Sequence, residues 1–453
     1  MAAFDDFVHG LTYEDLPEAV RGHARRWLLD LVGVAVGGRR TQLAQIICDH
    51  AAEHFCTEGS SARMLFDGRS VSPAGAALAG GMTIDALDGH DGHKLTKGHV
   101  GCGVLPACLA FAETQRQDDG GEFLTALVLG YEIGTRAGIA LHRTAPDYHS
   151  SGAWVTIAAA AIGARYLGLG PAATREAIGI AEYHGPRSQM MRCIDWPTMV
   201  KDGSGWGAMA GVSAAFLAEA GFTGAPAVTV EGDEVADLWS DLGSNWRICE
   251  QYYKPYPVCR WAQPAVKAAL DLSREHGLAS EQIERVEVAT FHQAIRLAVR
   301  RPLTTEQAQY STSFPTAVVL VRGGLGPRDV SEDAFADPEV MRLSDGMSFT
   351  EEQGFNEAFP ARRLARVSLV LSDGRRLTSP PTEAPGDPER PAAHEEVRRK
   401  YQDMTVPSLG PERSAEIARL VEGLGPETAL GQLLDLVTDG IGAPCQPSHR
   451  IEH

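Results

Sequence analysis

The chain has 453 residues, 44% of them hydrophobic and 22% charged, with a formal net charge of −18. That length exceeds what one hydrophobic core fills, so two domains are expected. The acidic balance argues against nucleic acid and anionic membrane as partners, whereas a local cluster of Arg, Lys and His would still admit an anionic substrate. Eight cysteines, at 48, 56, 102, 108, 193, 249, 259 and 445, form no Cys-x-x-Cys pair, so neither a zinc site nor a redox dithiol is expected. The first residues lack a basic and then apolar signal region. No uninterrupted apolar run reaches the roughly 18 residues of a membrane span. A cytoplasmic setting is the expectation.

In chain order, residues 12–37 are predicted helical. Tyr13-Glu-Asp-Leu-Pro17 opens the helix, and Val20, Ala24, Leu28, Leu31 and Val32 recur at mostly three- and four-residue spacing. A second helix is predicted over 42–55, a turn at 66–70, and a helix of small residues over 73–87. Long Ala-, Leu- and Gly-rich helices follow at 105–116, 121–141, 151–167, 171–184 and 205–220. After Thr223-Gly-Ala-Pro226 the texture changes. A helix at 262–276 precedes Ile283–Thr290, which alternates apolar and polar as a half-buried strand does. Ala365–Leu371 alternates likewise, and Ser372-Asp-Gly-Arg375 is a hairpin turn. Helical sequence at 303–323 and 332–343 lies between. Residues 380–395 carry five prolines and read as a linker or surface loop. Helical sequence returns over 394–440. The fold class is therefore mainly α with a second α+β domain. A discontinuous all-helical domain takes 1–254 and 394–453, and a smaller α+β lid takes 255–393.

The densest chemistry lies between Asp88 and Cys108. Asp88, His90, Asp91, His93, Lys94, Lys97 and His99 fall within twelve residues, flanked by apolar helical sequence. A buried loop this polar is costly unless its groups pair with one another, with solvent or with a ligand. Three readings stay open from these residues: a proton-transfer site, a solvated interhelical loop, or a metal site. The spacing matches neither a helical His pair nor a calcium loop.

Three further stretches carry candidates. Asp147-Tyr-His149-Ser-Ser puts an imidazole at the start of a helix, where exposed amides suit an anion. Met199-Val-Lys201 precedes a glycine-rich helix start, where a lysine can hold a carboxylate or act as a base. Arg192 lies just upstream. Lys254-Pro-Tyr256-Pro-Val-Cys259-Arg260 falls at the proposed domain joint, where small-molecule clefts form. Arg260 suits a carboxylate clamp there.

Together these phrases resemble the MmgE/PrpD family. The matching elements are Asp15-Leu-Pro17, Asp88 through His99, Tyr148-His149, Met199-Val-Lys201 and Lys254-Pro-Tyr-Pro-Val-Cys-Arg260, and order and spacing agree from about residue 5 to 440. The chain departs from the family pattern at Gly89-His90, Val100, Ser150-Ser151 and Asp202-Gly-Ser-Gly. The resemblance implies a helical domain completed by the C-terminal tail, a lid, a homodimer, and catalysis without metal or cofactor in a cleft between domains. Asp88, Asp91, His93, His99, His149 and Lys201 would line that cleft. Arg260, Arg192, Lys254, Tyr256 and Cys259 would contact the substrate. It also implies a small di- or tricarboxylic acid as substrate. Dehydration of the 2-methylcitrate dehydratase kind is the first expectation, with cis-aconitate decarboxylase-like or iminodisuccinate epimerase-like chemistry, or a degenerate carboxylate-binding homologue, as alternatives. The three reactions share negative charge developing beside a carboxylate, so the site must supply a base and cations.

Overall fold

The computed structural model describes residues 2–441, so Cys445 and the rest of 442–453 lie outside the described residues. Two hydrophobic cores organise the chain. The larger gathers residues from Phe4 to Tyr253 and closes with Ala392 to Ile441. The smaller gathers Val258 to Leu371, joined by Leu87 from the first body.

The helices of the larger body follow the predicted spans closely. They include Glu18–Gly38, Gln42–His54, Pro73–Asp85, Gly101–Thr114, Gly120–Thr144, Gly152–Tyr166, Pro171–His184 and Ser204–Glu219. The helix Ala2–Gly10 precedes them and is not predicted. Small residues let these helices meet backbone to backbone. A side chain on Gly81 would lie 2.5 Å from the Gly205 Cα, so Pro73–Asp85 and Ser204–Glu219 cross in direct contact. That crossing brings Asp85, at the end of one helix, to the loop that starts the other. Gly120–Thr144 is long and apolar enough to cross a membrane, yet its apolar stretch is buried in this core among the other helices.

The smaller body holds a five-stranded sheet. Ser348–Glu351 pairs parallel to Ile283–Thr290, which pairs antiparallel to Leu364–Leu371. Arg376–Thr378 and Thr382–Glu383 both pair antiparallel to Leu364–Leu371. Val286 and Val288 from one central strand and Val367 and Leu369 from the other face the helices Gln263–His276 and Ser313–Arg322 in the same core. The strand Ser348–Glu351 escapes sequence reading because it is short and mostly exposed, which removes the alternation signal.

Two departures from the predicted elements bear on the site. The helix predicted over 303–323 breaks into Thr305–Gln309 and Ser313–Arg322, and the break turns Gln309 and Tyr310 toward the first body. The predicted loop 380–395 contributes the edge strand Thr382–Glu383 and a buried run of carbonyls at Ala384 and Pro385. The tail helix His394–Glu422 is interrupted at Gly410, whose φ of +77° sits between Pro407 and Pro411. Before that break it sends Lys400 inward, onto Asp30 at 2.7 Å and the Gly89 carbonyl at 2.6 Å.

Candidate active site

Three loops build the site, and they meet at Ser151. Its hydroxyl accepts the His99 amide at 2.9 Å and donates to the Asp202 carboxyl, whose other oxygen accepts the Ser151 amide at 3.1 Å. The Asp202 amide in turn donates to Asp85 at 3.3 Å. One hydroxyl thus ties together the His99 loop, the segment after His149 and the residue after Lys201. The packing leaves little slack: a side chain on Gly98 would stand 2.6 Å from the Ser151 oxygen. Asp88, Lys97 and Lys201 all hold a positive φ near +50°, three of the five such non-glycine residues among those described. Such backbone persists only where the surroundings over-determine it, and it gathers at functional sites.

His99 has a defined tautomer. Its Nδ1 lies 2.6 Å from the Asp91 carbonyl oxygen, which can only accept, so Nδ1 carries the proton. The lone pair is therefore on Nε2, 3.6 Å from Asp88 Oδ1. Burial pushes the ring well below the usual histidine range, and the nearby Lys254 and His90 charges push the same way. His99 is thus a neutral base near pH 7. Its carbonyl accepts the Trp154 indole N–H at 2.8 Å, which fixes the backbone behind it.

The neighbouring acids divide into distinct states. Asp88 is held by Lys254, whose ammonium lies 2.9 Å from the Asp88 carbonyl as well as against its carboxylate. Burial would raise Asp85, but His90 at 3.2 Å, with the Lys201 and Lys254 ammoniums, holds it below the ordinary value. Burial lifts Asp91 to about 6; Tyr131 donates to one of its oxygens at 3.0 Å and the other is unpartnered. Burial, and then the Asp85 charge beside it, lifts Asp202 to about 8, so it is a carboxylic acid at neutral pH.

His149 sits in the segment 148–150, pinned by the Met190 amide to the Tyr148 carbonyl at 2.7 Å and the Ser150 amide to the Ser188 carbonyl at 2.8 Å. It is buried, yet neither ring nitrogen has a partner. Burial lowers its affinity for a proton, and Arg187 adds to that. Lys201 is buried, with its ammonium 2.5 Å from Gln309 Oε1 and over the Tyr310 ring at 4.8 Å. A cavity of about 450 Å³ opens beside it, lined by Ser150, Gln189, Arg192, Cys193 and Lys201 among others. Arg192 is at the exposed rim of that cavity.

Other expected residues serve the frame. His93 is buried with Nε2 3.0 Å from Glu250 and so joins the loop to the segment before Lys254. Both Arg260 Nη atoms are taken, by Asp387 at 2.6 Å and by the carbonyls of Tyr253 and Pro385 at 3.0 and 2.7 Å. Tyr256 packs at the edge of the smaller core. Cys259 is buried and its thiol is pushed up to about 12 by that burial, which makes it a poor nucleophile. Asp88, His90 and His99 bring donor atoms within 4.8 Å of one another, a spacing compatible with a metal. Yet Asp88 already carries the Lys254 ammonium, and both nitrogens of His90 face oxygens, of Asp85 and of the Asp91 carbonyl. The donor set fits an ion-pair and hydrogen-bond network better than a coordination sphere.

Sequence reading misses Asp85, Gln309, Tyr310 and Arg363. Only Asp85 offered a signal, as a lone carboxylate at the end of an otherwise apolar helix.

A helical body and an α+β body thus meet over buried imidazoles, carboxyls and ammoniums. Comparison with known proteins agrees on the lineage. The MmgE/PrpD N-terminal domain matches residues 2–243 and the MmgE/PrpD C-terminal domain matches 256–425, so the chain belongs to the MmgE/PrpD family. Its relatives include the cis-aconitate decarboxylase-like protein oryM of Aspergillus oryzae, 24% identical over 96% of both chains. The cis-aconitate decarboxylase of Aspergillus terreus is 24% identical over 96% of this chain and 95% of its own. The cis-aconitate decarboxylase of Homo sapiens is 24% identical over 93% of this chain and 91% of its own.

Proposed function

We propose that this protein is a lyase that releases carbon dioxide from an unsaturated tricarboxylate of the cis-aconitate class. The observation that carries the reading is the neutral, buried His99, with its lone pair on Nε2, joined through Ser151 to the loop that carries Lys201. The names of the relatives favour decarboxylation over the dehydration expected from sequence.

The chemistry follows from the substrate. In cis-aconitate the carboxylate that leaves sits on a carbon next to the double bond. As its C–C bond breaks, the electron pair forms a new double bond with the neighbouring carbon. The original double bond opens and leaves charge on the far carbon, beside another carboxylate. That carbon then takes a proton. The site must hold the surviving carboxylates, stabilise the charge and deliver one proton. Lys201 supplies the cation beside the developing charge. His149, with both ring nitrogens free, carries the proton to carbon, and His99 takes up and relays protons through Nε2. Exclusion of water strengthens each of these interactions.

Incubation of the purified protein with cis-aconitate tests the reading directly. Carbon dioxide and an unsaturated dicarboxylate are the expected products, and His99→Gln and Lys201→Met should each lower kcat by about 10²-fold or more. Water addition or loss without carbon dioxide would move the assignment to a dehydratase.

A further inference from the structure

Arg363 is the buried cation for which the fold supplies least. It stands at the start of the strand Leu364–Leu371, 3% exposed. Its Nε and Nη1 have no partner, and Nη2 reaches only the Lys94 carbonyl at a long 3.4 Å. The guanidinium lies over the Tyr252 ring at 5.1 Å. Asp387, the carboxylate acting on it, is already taken by Arg260 at 2.6 Å and Lys94 at 3.3 Å. The Lys97 amide donates to that same Lys94 carbonyl at 3.3 Å, which sets a second unpaired cation beside Arg363. The Lys97 ammonium donates only to the Leu95 carbonyl at 3.3 Å, and it rests on the Tyr148 ring at 4.6 Å. Among the described residues neither Arg363 nor Lys97 has a carboxylate within 4.0 Å. Burial, and then the Arg363 charge, depresses the Lys97 ammonium to about 8. A buried and a half-buried like charge with open donors are unfavourable in an empty site and favourable once an anion sits between them.

We infer that Arg363 and Lys97 form a carboxylate subsite on the lid side of the pocket, holding a carboxylate of the substrate remote from the reacting carbon. Arg363 leaves Nε and Nη1 open, and Nη2, which shares an edge of the guanidinium with each of them, is held only by the long 3.4 Å contact, so a carboxylate can take either edge. The subsite borders His99 and His149: the Tyr252 ring under the Arg363 guanidinium also meets the His99 ring edge-on, with centroids 6.5 Å apart, and the Tyr148 ring under Lys97 directly precedes His149. It selects acids with an additional carboxylate over shorter ones. That selectivity rests on the proposed function, but the subsite itself can be read by binding alone.

The test uses the full chain and tricarballylate, a saturated and unreactive tricarboxylate, with propionate and inorganic phosphate as comparisons. Calorimetry should find tricarballylate bound by the wild type, weakened about tenfold or more in Arg363→Gln and in Lys97→Met, and partly recovered in Arg363→Lys. Propionate and phosphate should bind much more weakly and alike in all four proteins. With cis-aconitate, KM should rise about tenfold in the variants while kcat stays within about threefold. Tricarballylate binding unchanged in both Arg363→Gln and Lys97→Met, or absent from the wild type, overturns the subsite. So does phosphate binding as tightly as tricarballylate and lost in the same variants, which would make it a general anion site. Wild-type protein that binds tricarballylate through Arg363 but leaves cis-aconitate unchanged would refute the reaction and keep the subsite. Turnover with an unchanged KM in Arg363→Gln would do the reverse.

Discussion

Lys254 grips Asp88 twice, through the side-chain carboxylate and through the backbone carbonyl 2.9 Å away. The second contact holds Asp88 in its left-handed backbone, and the first neutralises a carboxylate that faces the His99 lone pair. One lysine therefore sets both the shape and the charge of the loop.

Removing that lysine strands a buried charge. Lys254→Met should lower stability by about 3–5 kcal/mol, read as a drop in denaturant midpoint. Pairing it with Asp88→Asn should recover part of the loss, because the two residues form one unit. Additive losses would contradict the coupling.

Asp202 makes stability depend on pH in an unusual direction. Its carboxyl is raised to about 8 in the folded chain, against about 3.8 for an ordinary aspartic acid. The folded state therefore holds a proton that the unfolded state releases between those values. The stabilisation is complete below about pH 4 and is lost as pH climbs toward 8. Asp202→Asn removes this dependence. The stability of the wild type relative to Asp202→Asn should fall between pH 5 and 8, by at most about 1.4 kcal/mol per pH unit. A constant difference would mean that Asp202 is ionised.

The pH profile of turnover should reflect His99. Because burial keeps its ring well below the usual range, the acid limb of kcat/KM should lie below pH 6.5. An acid limb at 6.5 or above would contradict a buried neutral base.

Thiol reactivity separates Cys259 from the surface. The Cys259 thiol is pushed up to about 12, whereas Cys56 is exposed. Iodoacetamide at pH 8, followed by peptide mass spectrometry, should modify Cys56 and spare Cys259 without loss of activity. Rapid labelling of Cys259 would contradict a buried, protonated thiol.

Much of the helical body is legible in the sequence because 3.6-residue periodicity and proline or glycine punctuation are local signals. Pro171–His184 appears where the pattern puts it. The Asp88–His99 loop is legible because polar residues interrupt apolar helices. Its division of labour is not. Arg260 reads as a cation at the domain joint and Arg363 draws no notice, and only tertiary structure pairs the first with Asp387 and leaves two nitrogens of the second without a partner. Asp202 is legible only as a departure from the family pattern, and its burial against Ser151 and Asp85 emerges from tertiary structure. Lys400 lies more than 300 residues from the loop it supports. Tyr310 is hidden by a helical pattern that continues across the break where it sits.

Proton NMR of cis-aconitate turnover in deuterated buffer tests the central claim most directly. One deuterium should enter the product on the carbon beside the retained carboxylate, with one carbon dioxide released. His99→Gln and Lys201→Met should abolish both signals together while keeping the wild-type fold. Product formed without deuterium at that carbon, or full turnover by either variant, would contradict the account.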